Sequence, residues 1–410
     1  LDLSSITAAE GFKITGLSLD AWDDVSALGD VNNDGIDDFI VAEMNENSYD
    51  GAAHVIFGTQ DFSGNEIDTD ALDGSDGFTI NGEFGYLGTG VSSAGDFNND
   101  GTDDILIGVY GQPEDNRGRA YVIYGHDSIG GSGDLDISSI HGEPGKGVQI
   151  NGVWYSQYWD NVGSLGDINN DGFDDIGVAS IHKGLSGTND FRGAAAVIYG
   201  FDSDLAGAAS TINIRSIWDA GMFNSDGFVM TGSNVGDQFG AVITGVGDIN
   251  NDGISDFAIS ATHADVEPND NSGEVYVVYG ETNLGASGLS LSDVETDPSK
   301  GFVIQDPSGN QLGSIIAVGD QNGDGVDDLL TSSSSSDSVY IVYGADDRTG
   351  SPINLTTLDV VDGREIIADA VYTKQLASVD LNSDGHAEIL IASNSASGGQ
   401  VAVVAGLSAP

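Results

Sequence analysis

The chain has 410 residues, 66 of them acidic and 11 basic, giving a net charge of −55, with 39% hydrophobic residues, 60 glycines and no cysteine. Such a charge repels the phosphates of nucleic acid and anionic membrane surfaces, and the missing cysteines exclude disulfides and thiolate metal sites. No apolar run reaches the ~18 residues of a membrane-spanning helix, while the hydrophobic content suffices for a folded core.

In chain order the first signals are LDLSSI at Leu1, GFKI at Gly11, VSALGD at Val25 and the nine-residue stretch DVNNDGIDD, Asp30 to Asp38. Two apolar runs follow, FIVA at Phe39 and VIFG at Val55. The same order then returns with GFTI at Gly77, DFNNDGTDD from Asp96, ILIGV at Ile105 and VIYG at Val122. A third round reads LDISSI at Leu135, GVQI at Gly147, DINNDGFDD from Asp167, IGVA at Ile176 and VIYG at Val197. The fourth reads INIRSI at Ile212, GFVM at Gly227, DINNDGISD from Asp248, FAISA at Phe257 and VVYG at Val277. Then come GFVI at Gly301, DQNGDGVDD from Asp320, LLT at Leu329 and IVYG at Ile341. Last are GREI at Gly363, DLNSDGHAE from Asp380, ILIA at Ile389 and VVAG at Val403. With Leu1 rather than Met at its start, the chain is expected to be a processed or excised part of a longer precursor.

The runs are four to six residues long, rich in β-branched and aromatic side chains, and bounded by Gly, Asn, Asp and Ser, which is the signature of strands and tight turns. A sustained helical period is missing. Each repeat supplies the GFxI strand, the strand entering the loop, the strand leaving it and the YG strand, and four strands per repeat match a β-propeller blade. A single such unit would bury little surface alone, which disfavours a row of separate small sandwiches. The expectation is one all-β propeller domain over residues 1–410, most simply with six four-stranded blades, seven being the alternative. Its repeats run over approximately 1–60, 61–130, 131–205, 206–285, 286–346 and 347–410, with the N-terminal strand completing the last blade.

Calcium takes several hard oxygen ligands around a flexible turn. In the first loop Asp30, Asn32 and Asp34 would supply side-chain oxygens, Ile36 its carbonyl, and Asp38 would close the site, with Gly35 permitting the turn. The same positions recur as Asp96, Asn98, Asp100, Thr102 and Asp104, as Asp167, Asn169, Asp171, Phe173 and Asp175, and as Asp248, Asn250, Asp252, Ile254 and Asp256. The fifth and sixth sets are Asp320, Asn322, Asp324, Val326 and Asp328, and Asp380, Asn382, Asp384, His386 and Glu388. An EF-hand closes with Glu at its twelfth position between two helices; here Val41 stands at that place and strands flank the loop. About six calcium ions are therefore expected, one per repeat, in structural sites.

Loop, strand context and period together resemble the FG-GAP repeat propeller, the fold of the integrin α-subunit head and of many bacterial surface proteins. The resemblance implies loops that join the first two strands of a blade, on the face opposite the main ligand surface, and it assigns the same metal roles to the loop positions above. Phe239-Gly240 and Phe84-Gly85 match the FG element, whereas Trp22 and Trp159 sit nearby in other repeats, and a GAP tripeptide is absent. Integrin heads have seven blades, against six sets of signals here.

Opposite the calcium loops, repeats two to four carry longer connections, and VWYSQYW at Val153 packs four aromatics into seven residues. Trp154, Tyr155, Tyr158 and Trp159 would offer a platform for a sugar ring or an apolar ligand group, or else pad neighbouring blades. No G-x-S-x-G, H-E-x-x-H or G-x-G-x-x-G occurs, which argues against an enzyme. The sequence thus favours a calcium-binding, secreted or cell-surface module that holds a protein partner, integrin-like and adhesive. A lectin-like propeller that binds glycan is the alternative, and a polysaccharide-active enzyme comes last. Such loops fill at the calcium levels found outside cells.

Overall fold

A computed structural model describes residues 12–17, 24–45, 50–59, 66–83, 85–111, 117–131, 133–140, 143, 145–152, 161–182, 191–202, 210–266, 271–285, 288–333, 338–346, 348, 352–367, 374–379, 387–395 and 398–404. They form an all-β structure in which antiparallel sheets recur with the repeat. The chain divides into two compact units, one of Leu1–Ser164 with Gly200–Arg215, the other of Leu165–Tyr199 with Ser216–Pro410.

The first unit holds two blades. The first runs Val25–Gly29, Asp38–Glu43, Ala52–Ile56 and Gly77–Asn81 in spatial order, and Leu135–Asp136 adds a short parallel strand outside. The second runs Leu87–Gly95, Asp104–Val109, Arg119–Ile123 and Gly147–Asn151, with Thr211–Asn213 outside. Lys13–Thr15 pairs in parallel with Glu66–Asp68. Each sheet is therefore staggered against the repeat: the GFxI strand pairs with the YG strand before it, Val55 opposite Phe78 and Val122 opposite Val148. The LDISSI and INIRSI segments become the outermost parallel strands, one blade further back.

Of the strand Asn161–Gly166, Leu165 and Gly166 belong to the second unit, where one blade combines Asp175–Ser180, Ala194–Ile198 and Gly227–Thr231, and the next combines Phe239–Gly247, Asp256–Ala261, Glu274–Val278 and Gly301–Gln305. Leu312–Gly319, Asp328–Ser333, Ser338–Val342 and Gly363–Ile367 make the fifth sheet. Lys374–Val379, Glu388–Ser395 and Gly398–Val404 make a three-stranded sheet. Among the described residues no helix is long and apolar enough to cross a membrane.

The strands leaving the loops, such as Asp104–Val109 and Asp256–Ala261, are buried along their whole length. Both of their faces pack against neighbours, so they read as continuous apolar runs instead of alternating ones. Between the two blades of the first unit, Ile40, Val55 and Phe78 share a core with Val91, Ile105 and Ile107. In the second unit Val197, Phe228, Phe239, Phe257 and Tyr276 form one such layer, and Val246, Phe302, Leu312 and Leu329 form the next. Phe239, the aromatic of the FG pair, is fully buried and meets Tyr276 edge to face, ring centroids 6.0 Å apart. Phe239→Ala should cost about 3–5 kcal/mol, read from denaturant unfolding, because the surrounding strands cannot collapse into the space.

Candidate functional site

Each of the five described loops turns between the first and second strands of a blade, and each is shaped by the same hydrogen bonds. In the first, Asp30 accepts the N–H of Asp34 at 2.9 Å through Oδ1 and that of Gly35 at 2.7 Å through Oδ2. Asn32 Oδ1 accepts Asp34 N–H at 2.9 Å and Asp34 Oδ1 accepts Ile36 N–H at 3.0 Å. The loops at Asp96, Asp248 and Asp320 repeat all four bonds, and the loop at Asp167 repeats those made by its first and fifth residues. Gly35 has φ 87°, and nothing lies within 4 Å of the point where a Cβ would stand, so glycine is required there by backbone angle and not by space.

The ninth residue behaves differently. Asp38, Asp104, Asp175, Asp256 and Asp328 are all buried. Asp256 accepts Ile249 N–H at 2.9 Å within its loop and Gly280 N–H at 2.7 Å from the end of the YG strand. Asp38 and Asp328 make the same pair of bonds, to Val31 and Gly58 and to Gln321 and Gly344. The loop and the YG element, which travel together in sequence, are therefore two halves of one carboxylate clamp. Glycine is sterically required at the clamp: a Cβ on Gly280 would lie 2.2 Å from the Ser255 carbonyl oxygen.

Burial raises the pKa of Asp38, Asp104, Asp256 and Asp328, and the first and fifth aspartates of the same loop raise it further, while main-chain N–H donors oppose the rise. Asp38 is pushed up to about 6, Asp328 to about 7 and Asp256 to about 8. Asp104 stands well above the usual carboxylate range for the same reasons; the N–H groups of Gly125 and Asn98 oppose this, but only Gly125 meets it at hydrogen-bonding geometry, at 2.8 Å. Its Oδ2 is buried without a hydrogen-bond partner, as is Asn169 Oδ1 in the third loop. The neighbouring tyrosine of the YG element feels the same charge: burial and then Asp256 and Asp252 push Tyr279 up to about 12 against the opposing Arg348.

These donors suit a hard cation in kind and order, being carboxylates, an amide oxygen and a main-chain carbonyl in one turn. Their oxygens are engaged by main-chain N–H groups, and among the described residues no three carboxylates or imidazoles come together at chelating range. Of the sixth set, Glu388 is described and buried; Asp380, Asn382, Asp384 and His386 lie outside the described residues, as do Trp154, Tyr155, Tyr158 and Trp159.

Two roles in the loop escape a reading of the sequence. The fourth residue is conformational: Asn33, Asn99, Asn170 and Asn251 have φ between 55° and 58°, and Gly323 takes this place in the fifth loop. The alternation of Asn and Gly at that position is the available signal, since both tolerate the left-handed region. The eighth residue reaches the preceding blade. Asp103 Oδ2 accepts the N–H of Asp30, and Asp327 Oδ2 that of Asp248, each at 2.9 Å.

Away from the loops, His54 is buried within the first blade between Glu43 Oε2 at 2.9 Å and Thr79 Oγ1 at 3.0 Å. His182 packs against Phe191, and His263 lies beside Thr262 Oγ1 at 3.1 Å.

The FG-GAP repeat family profile matches residues 22–56, 87–123 and 239–278, which are the first three strands and the loop of three blades. Among curated relatives, integrin alpha-8 of Gallus gallus is 27% identical over 52% of this chain and 16% of its own length. Integrin alpha-5 of Xenopus laevis is 28% identical over 38% of this chain and 13% of its own. Phosphatidylinositol-glycan-specific phospholipase D of Mus musculus is 29% identical over 40% and 19%. The chain thus spans less than a fifth of the length of each of these relatives. Residues, spacing and blade architecture agree with these matches: the chain carries FG-GAP repeats at residues 22–56, 87–123 and 239–278 and is similar over part of its length to integrin α chains.

Proposed function

We propose that this protein is a calcium-loaded binding module of the integrin α kind, displayed outside the cell, that holds a protein partner in adhesion. One observation carries the calcium reading: the same oxygen donors recur in every described loop, and in two loops a buried oxygen, Asp104 Oδ2 or Asn169 Oδ1, has no partner. A hard dication supplies what these groups lack, a positive partner for a buried carboxylate or amide oxygen. Asp38, Asp104, Asp175, Asp256 and Asp328 would close the sites, with the first, third and fifth loop residues and the carbonyl of the seventh as the other donors. The sixth loop would act likewise through Asp380, Asn382, Asp384, His386 and Glu388.

The protein partner and the extracellular setting are supported by the integrin relatives, and the acidic surface argues against nucleic acid. We further propose that the six repeats form one propeller domain with a binding role in place of a catalytic one. Surfaces coated with the protein should retain cells in millimolar calcium and release them in chelator. Calorimetry should at the same time record five to six calcium ions per chain, following the one-loop-one-ion expectation. Equal cell retention on coated and bare surfaces would remove the adhesion reading, and absent calcium heat would remove the metal.

A further inference from the structure

Neighbouring loops are joined by contacts that the individual loop pattern does not require. In the first unit Asp103, the eighth residue of the second loop, accepts the N–H of Asp30 and returns its own N–H to the Asp30 carbonyl at 3.3 Å. Its carboxylate fills the space beside Gly29, where a Cβ would stand 2.1 Å from Oδ2. The N–H of His126 reaches the Val31 carbonyl at 3.0 Å, and Asn33 Nδ2 donates to Asp127 at 2.8 Å. The second unit repeats all of this between the fourth and fifth loops. Asp327 bonds Asp248 N–H and donates to its carbonyl at 3.4 Å, Asp327 Oδ2 would lie 2.1 Å from a Gly247 Cβ, Ala345 N–H reaches Ile249, and Asn251 donates to Asp346 at 2.9 Å.

The third and fourth loops provide an internal contrast. Ser255 replaces the eighth aspartate; its hydroxyl sits beside Gly166, 2.6 Å from a Cβ there, yet among the described residues it accepts no hydrogen bond from Asp167 N–H. The seat is present and the carboxylate is missing.

We propose that Asp103 and Asp327 are positioning residues that couple calcium binding between consecutive loops, one to two and four to five, and that loops three and four, which keep the main-chain tie from Glu281 N–H to the Ile168 carbonyl at 3.0 Å, lack this coupling. The proposal rests on the calcium reading above. Asp103 stands between Thr102, whose carbonyl would face the ion, and Asp104, which would close the site, so an ion in the second loop holds the Asp103 main chain. The Asp103 carboxylate in turn holds the main chain of Asp30, the first donor of the preceding loop. Coupling of this kind is reciprocal, so each loop of a pair raises the affinity of the other by the same factor.

The test is hydrogen exchange of the full chain, followed by mass spectrometry at graded free calcium, which yields a calcium midpoint for each loop peptide. Asp103→Ala should raise the midpoint of the first loop by about 5-fold or more, the lower end of ordinary site coupling, and leave loops four and five unmoved. Asp100→Ala, which disables the second loop, should shift the first loop in the same direction, whereas Asp252→Ala should leave the third unmoved. Asp103→Asn keeps an oxygen acceptor for Asp30 N–H and should preserve the first-loop midpoint. Ser255→Asp should lower the midpoint of the third loop by installing the missing contact. Should Asp103→Ala fail to fold, the Ser255→Asp result decides. Loops that respond to calcium but keep their midpoints in Asp103→Ala and Ser255→Asp would overturn the coupling and leave the calcium reading standing. Loops that gain no protection from calcium in the unaltered chain would overturn both.

Discussion

Calcium removal should lower the melting temperature by roughly 10 °C or more, since each proposed site held at ~100-fold its dissociation constant would add about 2.7 kcal/mol. The expectation follows from the buried ninth aspartates. Each loop brings that carboxyl beside two others, and burial penalises its charged form unless a cation sits among them. The effect carries a pH signature. In calcium-free solution Asp38, Asp328 and Asp256 have folded-state values of about 6, 7 and 8, above the ordinary aspartate value. A raised carboxyl pKa means that the folded form binds protons the unfolded form has released, so stability falls as pH rises. That contribution is fully present below the unfolded aspartate value and is lost progressively as pH climbs through 6 to 8. Melts at pH 5 and pH 8 should therefore differ in calcium-free buffer, pH 5 being the more stable, and converge or reverse when calcium is added. Identical melts at the two pH values, with and without calcium, would sink this account.

The second large effect is expected at the clamp. Gly280→Ala places a methyl group 2.2 Å from the Ser255 carbonyl oxygen and 2.7 Å from Ile254 Cγ2. Main chain at both places is held by the loop and by the Gly280 N–H bond to Asp256, so neither side yields cheaply. The substitution should cost about 2–4 kcal/mol, at the upper end of overpacking, and should weaken calcium at the fourth loop by displacing Asp256. Gly145→Ala is the control, with nothing within 4 Å of the added atom, and should stay within about 0.5 kcal/mol. Chemical unfolding of the two variants side by side, followed by calcium titration, distinguishes them. Equal stabilities would show that the YG glycine is not sterically required.

A loop of this protein is not a self-contained unit. Asp38 is held by Gly58, and Asp30 by Asp103 of the next loop. A substitution in one blade is therefore expected to be read out in the loop of the blade before it. Gln321 extends the same theme in a different chemistry: it replaces the apolar second loop residue, is fully buried, and donates through Nε2 to the carbonyls of Val318 and Ala387, each at 2.8 Å.

How much of this is legible in the chain itself depends on the range of the interaction. The turn of each loop is local. Asp30 bonds residues four and five positions on, and Gly35 and Asn33 take positive φ angles that glycine, lacking a Cβ, and asparagine tolerate, so Asp, Asn and Gly at fixed offsets suffice to identify the turn. The strand runs are equally plain, because four to six β-branched or aromatic residues between turn formers leave the backbone little else to do. Local chemistry therefore settles the repeat, the strands and the order of the oxygen donors. Which strands share a blade is settled only in the folded chain: GFxI runs open the repeat in sequence, yet Phe78 pairs with Val55 and Phe302 with Val277, closing the blade before. Folding also separates the eighth aspartate from the ninth, although the two stand side by side as Asp103 and Asp104. One is drawn outward to the preceding loop and the other into the blade, toward partners 73 and 21 residues away. Adjacent strand residues point to opposite sides, and which side faces a neighbouring loop is set by the packing of whole blades, a relation that no short window of sequence contains.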